Sequence, residues 1–213
     1  MKLKWLGITW LSFSYRQSIL GNYWKPAKDI VELVKEMRIK GLIPMIDERS
    51  RIFEPGCNVG RNLYYLQEEF NCECVGIDLS EKAIQIAEQK IWKGKKKHTF
   101  YVGNCLTTDF FAKTDDRTFD LVFTRWHLIH IPRSIVKRKY VENLKRIGKT
   151  FVILEPVKKG CSRIEFYHDG AYCLSWDEWA EEYGLAEYHS PLVSSLGGGT
   201  KVFFSNDKIC RQV

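Results

Sequence analysis

The stretch Phe53-Glu54-Pro55-Gly56-Cys57-Asn58-Val59-Gly60-Arg61-Asn62 constrains this chain more than any other. It follows the short apolar run Arg51-Ile52-Phe53-Glu54, which reads as a buried strand, and precedes a helical run through Leu63, Leu66 and Phe70. A chain that leaves a strand and enters a helix within so few residues must turn sharply, with its backbone free to lie against a ligand. Glycine allows both, because without a Cβ it tolerates positive φ. Asn58, between Gly56 and Gly60, is the non-glycine type that adopts left-handed geometry most readily.

The alternation repeats. Ahead of the turn, Ile30, Val31, Leu33, Val34 and Met37 recur at helical spacing after Pro26. Beyond it, Cys74-Val75-Gly76-Ile77 predicts a second strand ending at Asp78, with Ser80 as N-cap of a helix carrying Ala83, Ile84 and Ala87. Further strands are expected at 100–102, 119–123 and 151–154. Ser175-Trp176-Asp177-Glu178 fits a capping box that opens a last helix, before closing strands at 187–189 and 201–204 with Gly197-Gly198-Gly199 in the loop between them. Strands alternating with helices imply an α/β fold with a doubly wound sheet. A length of 213 residues suits one domain, and 45% hydrophobic residues argue against disorder.

The net charge of +7 would suit a polyanion, yet the one dense basic run, Lys93-Gly94-Lys95-Lys96-Lys97, is short and also fits a solvated loop. Seven cysteines without a CxxC pair favour free thiols in a reducing, cytoplasmic setting. Cys72-Glu73-Cys74 is the nearest approach to a metal signal. Its side chains are expected on opposite faces of a strand, so no structural metal is expected. The apolar stretch from Trp5 to Phe13 is too short to span a bilayer and lacks a small-residue cleavage site.

Glu54-Pro55-Gly56-Cys57-Asn58-Val59-Gly60 resembles the acidic-x-Gly-x-Gly-x-Gly motif of class I S-adenosylmethionine-dependent methyltransferases, with Asn58 at the middle glycine. Dinucleotide-binding turns need G-x-G-x-x-G, a spacing absent here. The resemblance runs from Pro26 to Asn206 and extends to small methylases associated with sugar biosynthesis. It implies a Rossmann-like, doubly wound seven-stranded sheet, mostly parallel with an antiparallel closing strand. It also implies one methyltransferase domain over 1–213, with 1–25 as an N-terminal lid and 26–213 as the core.

For the cofactor, S-adenosyl-L-methionine, the resemblance implies contacts from Glu54, Gly56, Cys57, Asn58 and Gly60, and from Asp78 and Leu79 at the end of the second strand. Asp78 can accept from both ribose hydroxyls, or can serve only as an acid at a helix start. Gly103-Asn104-Cys105 resembles the family's adenine contact, or is a surface turn. Arg16 can meet the methionine carboxylate, or only pack. The segment Thr124-Arg125-Trp126-His127-Leu128-Ile129-His130-Ile131-Pro132 is similar to the one that faces the sulfonium and acceptor, with Arg125 on the cofactor side and Trp126 on the substrate side.

His127 and His130 are the candidate catalytic residues, three apart on an expected helical turn, where an imidazole can take a proton from an oxygen or ammonium acceptor. His127 is expected to touch the acceptor. Glu155, Tyr167, His168 and Asp169 are further candidates for binding substrate. The function expected is O- or N-methylation of a small molecule. Alternatives are an RNA or protein methyltransferase, favoured by the charge but lacking an Asn-Pro-Pro-Tyr or Pro-Cys motif, and a regulator that binds the cofactor without catalysis.

Overall fold

A computed structural model describes residues 28–106, 109–131, 135–156, 165–166, 172–173, 180, 182–192 and 200–206. Helix α1 (Lys28–Ile39) leads into β1 (Arg51–Pro55), α2 (Arg61–Phe70), β2 (Glu73–Asp78), α3 (Glu81–Ile86), β3 (His98–Val102), β4 (Leu121–Arg125), α4 (Ile135–Ile147) and β5 (Thr150–Pro156). Short strands β6 (Glu165–Phe166) and β7 (Tyr172–Cys173) pair with each other; β8 (Ala186–Tyr188) and β9 (Thr200–Asn206) return to the main sheet.

That sheet has seven strands in the order β3-β2-β1-β4-β5-β9-β8. Pairing is parallel from β3 through β5, and β9 alone runs against its neighbours β5 and β8. The expected doubly wound, mostly parallel sheet with an antiparallel closing strand is the observed one. The chain order reverses between β1 and β4, so a crevice opens outside their carboxyl ends, where open α/β sheets take ligands.

Because strand side chains alternate between faces, the sheet divides its core in two. Ile52, Leu121, Phe123, Val152, Leu154, Val202 and Phe204 pack with α1 residues Ile30, Leu33, Val34 and Met37 and with Leu63 and Leu66 of α2. Phe53, Val75, Ile77, Val122, Phe151, Ile153 and Phe203 face Tyr140, Val141, Leu144 and Ile147 of α4 on the other side. Each fully buried Leu, Val or Phe contributes about 1.5–3 kcal/mol before chain entropy is subtracted, which fixes the strand ends in place.

Ser80 caps α3, its hydroxyl accepting from Ala83 N–H at 3.2 Å. The helix then widens into a π turn over Ala87–Ile91, which the apolar spacing did not reveal. One expectation is corrected. Cys72 and Cys74 share a face, with sulfurs 3.9 Å apart, because residues two apart along an extended chain point the same way. Both are free and fully buried, and no group of three or more ligating side chains occurs among the described residues. In the basic loop, Lys97 Nζ donates to the carbonyls of Glu48 and Asn71 at 3.2 and 3.1 Å, and Lys95 pairs with Glu68. These lysines tie the loop to its own domain. Among the described residues no helix is long and apolar enough to cross a membrane. The capping box at 175–178 lies outside them.

Candidate functional site

At the end of β1 the chain turns through three left-handed residues, Gly56 (φ 67°), Asn58 (φ 53°) and Gly60 (φ 70°), before α2 begins. The two glycines are required for space as well as backbone angle. A Cβ on Gly56 would lie 2.2 Å from His127 Nδ1, and one on Gly60 would lie 2.7 Å from the Phe100 ring. Gly56 and Cys57 N–H both donate to Ile77 O, at 2.7 and 3.2 Å, so the turn hangs on the end of β2. Gly76 on β2 makes room for it, since a Cβ there would meet Cys57 Sγ at 2.6 Å.

Asp78 closes the same end. Its carboxylate is buried; Oδ2 accepts from Asn58 N–H and Oδ1 from Ser80 N–H, each at 2.8 Å. Burial pushes its pKa up, and the two backbone bonds pull it down. No cation pairs with it among the described residues, and each oxygen keeps a lone pair for a further donor. Leu79 beside it is 42% exposed, an apolar side chain at the rim.

Glu54 is almost fully buried, with Oε1 accepting from Asn62 Nδ2 at 2.6 Å. Its Oε2 and the Asn58 Oδ1 have no hydrogen-bond partner. Two unpartnered polar oxygens at one strand end mark a place for a polar ligand. Burial drives the Glu54 pKa to about 8, against the Asn62 bond and the charges of Arg125 and Arg61. The folded state therefore holds a proton that the unfolded chain releases between about pH 4.5 and 8, and stability falls as pH rises through that window. Glu54→Gln removes this dependence. The variant is expected to match the wild type below pH 4.5 and to melt at least ~5 °C higher at pH 8.5, from a penalty bounded on the order of 5 kcal/mol. Parallel melting curves across that range would show that Glu54 ionises without cost.

Across the crevice, β4 delivers Arg125, Trp126, His127 and His130. Arg125 grips Asp29 of α1 through two bonds of 3.2 and 2.6 Å and reaches Asn62 Oδ1 at 3.4 Å. It thus links α1 to the glycine turn. Trp126 has φ 52°, a strained state for a bulky residue, and is 44% exposed; its Nε1 donates to Thr200 Oγ1 at 3.1 Å. Leu128–His130 form a 3₁₀ turn, closed by His130 N–H to His127 O at 3.1 Å.

His127 sits beneath the glycine turn. Its Nε2 bonds the Tyr140 hydroxyl at 2.9 Å, and burial, with the charges of His130 and Lys137, pushes its pKa down to about 3. The ring is neutral at physiological pH and bonded to Tyr140, an arrangement that favours packing beneath the turn over taking a proton from an acceptor. His130, half-buried one turn on, is the other histidine at this strand end.

Two further candidates have partners within the chain. Asn104 Oδ1 accepts from Leu106 N–H at 2.9 Å, forming a local turn, with Cys105 buried behind it. Glu155, expected in the acceptor pocket, is wholly buried: Oε1 accepts from His127 and Leu128 N–H at 2.9 and 2.8 Å, and Oε2 from Ile129 N–H at 3.3 Å. Arg16, Tyr167, His168 and Asp169 lie outside the described residues. Lys137, Tyr140, Asp29 and Asn62 were missed as site residues. Lys137 had a signal, because it occupies the apolar face of α4 with Tyr140, Val141 and Leu144, where a lysine needs a reason.

Residues 52–150 match the family described as Methyltransferase domain. Phosphoethanolamine N-methyltransferase 3 of Arabidopsis thaliana is 28% identical over 116 residues, which are 53% of this chain and 23% of that protein. The chloroplastic tocopherol O-methyltransferase of the same plant is 28% identical over 55% of this chain and 33% of its own length. This chain therefore spans well under half of either relative. Among solved structures, phosphoethanolamine N-methyltransferase 2 of Haemonchus contortus in complex with S-adenosyl-L-methionine superposes with a TM-score of 0.60 at 16% identity, over 90% of this chain and 55% of that one, and shares the fold.

Proposed function

We infer that this chain is a class I S-adenosylmethionine-dependent methyltransferase that takes S-adenosylmethionine as cofactor and transfers a methyl group to a nitrogen or oxygen of a small-molecule acceptor. The observation that carries this reading is the buried Asp78 carboxylate beside the Gly56–Gly60 turn, with unpartnered buried oxygens on Glu54 and Asn58. The residues present fit the group. Asp78 would hold the ribose hydroxyls, the glycine turn would pass beneath the methionine portion, and the unpartnered oxygens of Glu54 and Asn58 would meet its polar groups.

Bound there, the cofactor supplies an electrophilic methyl on a positively charged sulfur. The chain's own work is alignment and exclusion of water, because the reaction is an in-line displacement. Trp126 offers an apolar wall, the Leu128–His130 turn sets the imidazoles at the crevice, and His130 accepts the proton that an ammonium or hydroxyl acceptor must lose. Support for a small acceptor comes from the relatives, which act on phosphoethanolamine and tocopherol by name. We place the acceptor in the class of phosphorylated or free amino alcohols and hydroxylated small molecules.

Titration calorimetry and a transfer assay with labelled donor test this together. The chain is expected to bind S-adenosylmethionine and S-adenosylhomocysteine and not NAD, and to label at least one of phosphoethanolamine, ethanolamine, a sugar or a phenol. Asp78→Ala is expected to weaken S-adenosylhomocysteine binding by on the order of 2 kcal/mol, about 30-fold, in a chain that still folds. Micromolar NAD binding without binding of the methyl donor sinks the assignment. An unchanged dissociation constant in the variant leaves Asp78 as a helix-start acid.

A further inference from the structure

The geometry assigns Glu155 and Lys137 as a pair of positioning residues that hold the turn after β4, and with it His127 and His130, at the mouth of the crevice. This rests on the proposed methyl transfer only for its effect on rate. The two side chains come from different elements, Glu155 from the end of β5 and Lys137 from α4, and both are fully buried. Glu155 takes the N–H groups of three consecutive residues, His127, Leu128 and Ile129, at 2.9, 2.8 and 3.3 Å. Lys137 Nζ takes the carbonyls of Leu128 and Ile131, each at 2.7 Å.

The N–H groups are ones that a short turn cannot satisfy for itself and the Ile131 carbonyl lies past its end, while the Leu128 carbonyl, which already accepts from Ile131 N–H at 3.1 Å, gains Lys137 as a second donor. An anion at one end and a cation at the other hold it from both sides, with the polarity that its peptide dipoles favour. As a device for stability alone the pair is poor, because each buried charge costs several kcal/mol to desolvate and apolar residues would fill the same volume. What it supplies is direction. Five charge-assisted bonds fix the main chain of the turn without using any of its side chains, so Trp126, His127 and His130 are placed by the backbone behind them. Burial pushes the Glu155 carboxyl up, while the N–H bonds and the Lys137 ammonium pull it down.

The test uses the full chain with Glu155→Gln, which keeps shape, and Lys137→Met, with the double variant as a fold-safe control that removes both charges. Amide hydrogen exchange is followed at residues 127–131 and in β1–β5, S-adenosylhomocysteine affinity by calorimetry, and kcat and KM with the acceptor that the panel labels. Each single variant is expected to speed exchange at 127–131 at least tenfold while the strands stay protected. Donor affinity should stay within about twofold, and kcat should fall about 10–100-fold, the scale of a small misplacement of reacting groups. Unchanged exchange in both single variants overturns the proposal, and so does faster exchange with kcat unaltered, which would make the pair structural only. A wild-type chain that binds S-adenosylhomocysteine yet methylates nothing sinks the proposed function instead, and the exchange data still decide whether the pair holds the turn.

Discussion

Alanine in place of His130 is expected to lower turnover by about 10²–10⁴-fold with S-adenosylhomocysteine affinity unchanged, the effect of removing a general base. In the proposed reaction the two histidines after β4 divide the work by environment. His127 is bonded to Tyr140 and packed on Gly56, with its pKa near 3, so it stays neutral wherever the enzyme can operate. A base of that strength does little at neutral pH. His127→Ala should therefore scale the rate by the same factor at every pH between 5 and 8. His130→Ala should instead abolish the limb on which activity falls as pH drops, because protonation of the base no longer matters. If that limb survives in His130→Ala, or if the loss is below tenfold, the acceptor sheds its proton to water and His130 is a binding residue. Rates are read with labelled donor at saturating acceptor, since a loss erased by saturation would be a loss of binding.

Much of the fold was legible from spacing, and what was not has a physical reason. The glycine turn, the Asp78 strand end and the strand alternation are each written in a few consecutive residues, and together they place the crevice. The roles of Glu155 and His127 depend on contacts made 26 to 28 residues away along the chain or with another element, as in Glu155 to the 127–129 amides and His127 to Tyr140. A carboxylate at a strand end looks the same in sequence whether it faces a ligand or is consumed by main-chain N–H groups. Burial decides, and burial is a property of the packed molecule. The left-handed Trp126 was equally hidden, because no propensity places a bulky aromatic at positive φ; it follows the last paired residue of β4, its N–H donating to Leu154 O at 2.9 Å.

The other large effect expected lies in the glycine turn itself. Gly56→Ala adds a Cβ at φ 67°, where a left-handed backbone costs an alanine about 1–2 kcal/mol, and drives it to within 2.2 Å of His127 Nδ1. The ring is held by Tyr140 at 2.9 Å and cannot simply withdraw, so overpacking adds about 1–3 kcal/mol. Together these predict a melting temperature lower by about 5–15 °C and donor binding weakened by more than tenfold. The double variant Gly56→Ala/His127→Gly separates the two costs. Opening space opposite the new methyl should recover the packing share, leaving the backbone strain, while binding of S-adenosylhomocysteine recovers in part. If the double variant is no more stable than Gly56→Ala, the clash is relieved by backbone motion and the turn is softer than its hydrogen bonds to Ile77 imply. If Gly56→Ala melts with the wild type and binds the donor equally well, neither the left-handed turn nor the His127 ring constrains this end of the sheet. The assignment of His127 as a packed support would then fall with it.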